Sequence, residues 1–215
     1  MLPHSTKTAL SGEADAAAAY FSDFGGRALQ NLLRVSAVID SVLGVIAKIG
    51  AWMGLLLVLL VCYDVITRYF GVPKAFGLNS TQLQESEYWL HTFLFSLMIG
   101  YAYTRQAHVR IDLLRDRLPL RVKYLIEMVG IVVFLMTYVV IGTWFTFNYV
   151  HQSFLEGEVS KSTIGLSHIW VLKAFLPTMF VLLGLAGISQ LIKATAGFSG
   201  KLPQERIASV VGGDM

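Results

Sequence analysis

The chain has 215 residues, of which 55% are hydrophobic and only 14% charged, with a net charge of +3. A soluble domain carries roughly 25% charged residues, so this composition and the positive mean hydropathy of +0.61 argue against one. The basic residues border apolar runs instead of forming one face, which excludes a nucleic-acid surface.

Four segments contain no Asp, Glu, Lys or Arg: 49–63, 88–104, 128–155 and 174–192. A helix needs about 20 mostly apolar residues to cross roughly 30 Å of hydrocarbon. The expectation is an all-α integral membrane protein. It has four transmembrane helices, an N-terminal amphipathic helix and both termini in the cytoplasm.

Residues 1–23 are polar or small and read as a disordered tail without a signal peptide. Residues 24–44 follow as an amphipathic helix. Phe24, Ala28, Leu32, Val35, Ile39 and Val42 recur at helical spacing, while Arg27, Gln30, Arg34 and Asp40 interrupt the other faces. This segment either lies on the inner membrane surface or begins the first span.

The membrane domain is placed at 45–192. Span one, about 45–68, ends at Gly71 and Pro73, which break the helix. Asp64 and Arg68 lie four apart within it and can pair on one face. Cys62, the single cysteine, permits no internal disulfide and reads as a small apolar residue. An outer loop, 71–87, leads through Ser80 or Thr81 as helix cap into span two, about 86–104. A basic segment follows from Arg105 to Lys123, with six Lys or Arg, and is expected to form a surface helix or tight turn. Span three, about 124–147, ends in Trp144, Phe145 and Phe147, aromatics of the membrane interface. A second outer loop, 148–168, precedes span four, about 169–192, which contains Pro177. Residues 193–215 form a polar tail.

Thirteen Lys and Arg fall in the termini and the segment after span two, against three in the outer loops and at the outer end of span one. The excess marks the cytoplasmic side. Asp64, Glu127 and Lys173 are the charges nearest hydrocarbon, and all sit near helix ends. A charge at mid-span costs roughly 2.5–3.5 kcal/mol, and an ion pathway would need such groups. Their positions therefore suggest anchoring or subunit contact. Lys173 is expected to meet a carboxylate near the outer face, Glu85 first. Asp64, a group on another subunit or lipid headgroups are the alternatives. No histidine pair has metal-ligand spacing, and no nucleophile elbow, phosphate loop or CxxC is present. Catalytic, cofactor and metal sites are accordingly not expected.

Several segments follow one another in order: Arg68-Tyr69-Phe70, Gln84-Glu85, Gly100-Tyr101-Ala102-Tyr103-Thr104 and His108-Val109-Arg110-Ile111-Asp112-Leu113. Glu158-x-Ser160 and Trp170-Val171-Leu172-Lys173-Ala174 with Pro177 complete the set. Together they resemble the small membrane subunit (small permease, DctQ-like) of tripartite ATP-independent periplasmic (TRAP) transporters. The resemblance implies a scaffold subunit in a bacterial inner membrane, embedded among phospholipids. It implies a large permease subunit that binds sodium and substrate, and a periplasmic substrate-binding protein that delivers an organic acid. Structural or subunit-contact candidates are Asp64, Arg68, Glu85, His108, Arg110, Asp112, Glu158, Ser160 and Lys173. A stand-alone oligomeric channel or transporter, or an anchor unrelated to transport, are the alternatives that four helices also allow.

Overall fold

The computed structural model describes the backbone of residues 4–74, 79–107, 118–162 and 164–200, with side chains from residue 29 onward, and also residues 202, 207 and 210. The described residues form helices and no strand. Helix α1 spans His4–Phe70 and α2 spans Ser80–Thr104. Helix α3 spans Leu120–Leu155, and α4 spans Ile169–Phe198.

Helix α1 begins inside the segment read as a disordered tail. Its early turns contain Ala16 to Ala19, a run of the strongest helix former. It continues without a break through 24–44 into the first apolar span. Three helical stretches are long and apolar enough to cross a membrane by length and composition: Leu29–Phe70, Leu120–Leu155 and Ile169–Phe198. Helix α2 has 25 residues and so a length of about 37 Å. Glu85, Glu87 and His91 make its first turns too polar for it to stand with the other three.

The helix ends have clear local causes. At α1, Gly71 takes φ +63°, Val72 N–H donates to Thr67 C=O at 3.1 Å, and Gly71 N–H donates to Arg68 C=O at 3.3 Å. This pair of bonds around a left-handed residue is the Schellman stop. The same stop closes α3 at Gly157, φ +58°, with Glu158 N–H on Ser153 C=O at 3.1 Å. It moves the end of α3 to Leu155, eight residues past the expected span, because no helix breaker precedes Gly157. Helix α2 opens on Asn79, not on Ser80 or Thr81. The Asn79 side chain accepts from Gln82 N–H at 2.8 Å, and Gln82 answers on Asn79 N–H at 3.4 Å.

Helix α4 is the hub. It packs on α1, α2 and α3, and α1 also packs along α2. Close approach depends on small residues. A Cβ on Gly100 of α2 would lie 2.7 Å from the Leu182 carbonyl oxygen of α4. Gly184 and Gly187 of α4 admit Val139 and Leu135 of α3 in the same way. Small residues at such crossings let membrane helices gain van der Waals contact that lipid cannot supply. Leu43, Leu182 and Ala186 form a buried cluster with Ile39, Ile46, Leu97 and Tyr101 around them. Helix α3 changes to a π-helical turn over Gly130–Leu135, opposite Gly187. Beyond α4, Val210 is buried with Tyr124 and Ala194, and Leu202 and Ile207 pack against them. Part of the segment read as a polar tail therefore covers the base of α3 and α4.

Candidate functional site

Polar side chains gather at the two ends of the bundle. One end holds the close of α1, the start of α2, the close of α3 and the start of α4. Asp64, on the last turns of α1, is 5% exposed and pairs with Arg68 on its own helix, as its i,i+4 spacing predicts. Its other oxygen meets Lys74 Nζ at 2.5 Å, and Lys74 also donates to Ser80 Oγ at 2.8 Å. The Gln84 amide, oriented so that its oxygen faces the guanidinium, adds a contact to Arg68 from α2. Together these residues tie α1, the first loop and α2.

Glu85 joins the second loop to α2. One carboxylate oxygen accepts from Ser160 Oγ, and the other accepts from Leu166 N–H at 2.5 Å. Asn79 Nδ2 donates to Ile164 C=O at 3.2 Å, and Ser160 N–H donates to Leu166 C=O at 3.1 Å. A Cβ on Gly165 would collide with Ser160 Oγ and the Glu85 carboxylate, so the glycine is what lets the loop close this tightly.

Lys173 pairs with Glu158 and not with Glu85. The reason is local geometry. The stop at Gly157 turns the chain, and Ile169 N–H at the start of α4 donates to Glu158 C=O at 3.2 Å. That brings the Glu158 carboxylate to the first turn of α4, while Glu85 is already held by the loop. Ser153 Oγ donates to the same Glu158 oxygen at 2.6 Å, and the Lys173 ammonium lies 3.8 Å from the Tyr149 ring centroid. The Lys173 hydrogen bond, then that of Ser153, holds the Glu158 carboxyl below the usual 4.5. Phe154 and Trp170 stack edge to face at 5.3 Å beside this group, and Phe93 meets Phe175 at 4.1 Å between α2 and α4.

The other end contains a polar group that the sequence reading missed. Lys193 on α4 is 4% exposed and meets Asp40 of α1 at 2.6 Å. Ser189 Oγ donates to the second Asp40 oxygen at 2.6 Å and lies 2.9 Å from Ser36 Oγ. Gln190 Nε2 donates to Thr104 C=O at 3.1 Å, which adds the end of α2. One signal was available. Lys173 and Lys193 bound the uncharged run of α4 and stand 20 residues apart, about 30 Å along a helix, the thickness of a hydrocarbon layer.

Of the candidates, Asp64 and Arg68 meet each other, Glu85 meets Ser160, and Glu158 meets Lys173. The three clusters share one end of the bundle. His108, Arg110 and Asp112 lie outside the described residues. Among the described residues no group of three or more His, Cys, Asp or Glu is arranged to hold a metal ion.

A helical bundle with ion pairs at its two ends and apolar surface between them defines a membrane protein. Residues 57–197 match the family described as tripartite ATP-independent periplasmic transporters, DctQ component, and the chain belongs to that family. No curated protein and no solved structure gives a match.

Proposed function

We propose that this chain is the fixed scaffold subunit of a sodium-coupled organic acid uptake transporter in a bacterial inner membrane. It supports a large permease subunit, which binds sodium and substrate, and helps dock a periplasmic substrate-binding protein. In this reading α2 is a fourth span and both termini are cytoplasmic. The Asp64, Glu85 and Glu158 clusters then face the periplasm, where the binding protein arrives.

One observation carries the reading beyond family membership. Every ionisable pair described above joins one part of this chain to another at a bundle end. The runs 49–63, 88–104, 128–155 and 174–192 hold no carboxylate, ammonium or guanidinium. A translocation path needs such groups or cavity-lining backbone at mid-depth. A chain built this way suits a static partner, against which a moving domain can work.

The test is purification of the tagged chain in mild detergent, followed by reconstitution. A larger multi-span subunit is expected to accompany it. Uptake driven by a sodium gradient is expected only with that subunit and the binding protein both present. Solute transport by this chain alone in liposomes would sink the proposal.

A further inference from the structure

A groove of about 360 Å³ runs between α1 and α2 toward the Asp40 end, lined by Asp40, Ser41, Val45, Lys48, Met98 and Arg105, among others. Asp40, the carboxylate among these, is already taken by Lys193 and Ser189. Lys48 and Arg105 are both exposed, and among the described residues neither meets a carboxylate. The Arg105 guanidinium lies 5.2 Å from the Tyr101 ring centroid. That ring lies beside α1 at Gly44, where a Cβ would make an ordinary van der Waals contact with it at 3.6 Å.

Depth makes Lys48 unusual. It lies eight residues past Asp40, about 12 Å along the helix toward the bundle's middle. Helical side chains tilt toward the N-terminus, so its stem points back toward the Asp40 end. An ammonium in that position reaches the interface by snorkelling along the groove. An unpaired cation near hydrocarbon is costly, so a group that brings an anion to this depth is favoured. The walls Val45, Ala51 and Met98 are apolar, and Ala51 and Met98 lie farther toward the bundle's middle than Lys48 and Arg105 do.

We infer that this groove holds an anionic phospholipid, with its phosphate between Lys48 and Arg105 and an acyl chain along Val45, Ala51 and Met98. A headgroup supplies the oxygens that these two cations do not meet among the carboxylates of the described residues, and its tail fits the apolar wall, which a soluble phosphate would not. The inference rests on the chain lying in a bilayer as proposed above. It does not depend on which substrate the complex moves.

The tagged chain, with whatever subunits accompany it, is placed in nanodiscs of equal phosphatidylglycerol and phosphatidylcholine. Native mass spectrometry then counts the retained lipid. Phosphatidylglycerol is expected to be retained in preference. Lys48→Gln or Arg105→Gln should each weaken that preference about fivefold, and the double substitution further. Lys48→Arg should keep it. Arg34→Gln removes one charge from α1 outside the groove and should leave it intact. Equal retention of the two lipids by the wild-type chain would overturn the inference. So would an equal loss in Arg34→Gln, which would mean diffuse surface attraction. Unchanged lipid with loss of a companion subunit in the double variant would assign the cations to a partner's carboxylate, and would also overturn it. Lipid is counted on this chain directly, so failure of the transport reading leaves the readout intact.

Discussion

At the scale of single residues, the Glu158 and Lys173 contact decides how the second loop meets α4. Its carboxyl is held below 4.5, so the folded state binds a proton less readily than the unfolded chain. A depressed carboxylate contributes stability fully above its unfolded value and loses it as pH falls through the lower folded value. The pair is therefore intact at neutral pH and weakens in acid, as pH falls through that lowered value. Thermal unfolding followed from pH 7 downward should show a loss in the wild-type chain that Glu158→Gln lacks. Glu158→Gln and Lys173→Met should also be non-additive, since they remove the same contact. Glu85→Gln combined with Lys173→Met should add, because Glu85 spends its oxygens on Ser160 and Leu166. A pH response in Glu158→Gln equal to that of the wild type would place the acid sensitivity elsewhere.

At the scale of elements, packing turns on how near α2 comes to α4. Gly100 faces backbone, the Leu182 carbonyl, which cannot swing aside as a side chain can. Gly54 of α1 faces the Leu94 side chain at 3.2 Å, which can yield. Gly100→Ala should therefore destabilise the bundle by about 1–3 kcal/mol, and Gly54→Ala by clearly less. Denaturation of the purified protein in detergent checks the order, and equal effects would refute it. The same contrast explains what the sequence disclosed. The stop at Gly71 was legible because a glycine and a proline follow an apolar run. The Asp64 and Arg68 pair was legible because i,i+4 spacing suffices for it. The partner of Lys173 was not, because it depends on the turn at Gly157 and on how far α3 continues before it. Asp40 and Lys193 are 153 residues apart, and local spacing cannot link them. The π-helical turn at Gly130–Leu135 ends at Leu135, beside Gly187, and the apolar sequence there gives it no signature of its own.

At the scale of the whole molecule, the proposed reading has α2 crossing the membrane. Position supplies the argument. Its start is tied to the second loop through Asn79 and Glu85, beside the close of α1 and the start of α4. Its end is tied to the other end of α4, where Gln190 donates to Thr104 C=O and Gln106 Nε2 to Val210 C=O. Helix α2 thus runs the length of the bundle antiparallel to α1, and Gly100 brings it against α4 between those ends. Its two glutamates and its histidine, Glu85, Glu87 and His91, lie in the first half, and 88–104 carries no Asp, Glu, Lys or Arg. A bundle with three spans and a surface helix would place Asn79 and Thr104 at one membrane face, whereas their contacts lie toward opposite ends of α4, which supports the four-span reading proposed above. The proposed direction rests on the basic residues, with six Lys or Arg from Arg105 to Lys123 beyond the end of α2. The expected topology puts residues 72 and 161 outside and residue 107 inside. Single cysteines at Val72, Lys161 and Ala107 in a Cys62→Ala background would test it with an impermeant thiol reagent. The first two should label in intact spheroplasts and the third only after the membrane is opened. Labelling of residue 107 in intact spheroplasts would mean that α2 stays on the surface. Labelling of residue 107 alone, with 72 and 161 protected, would invert the whole bundle and turn the end that holds Asp64, Glu85 and Glu158 toward the cytoplasm.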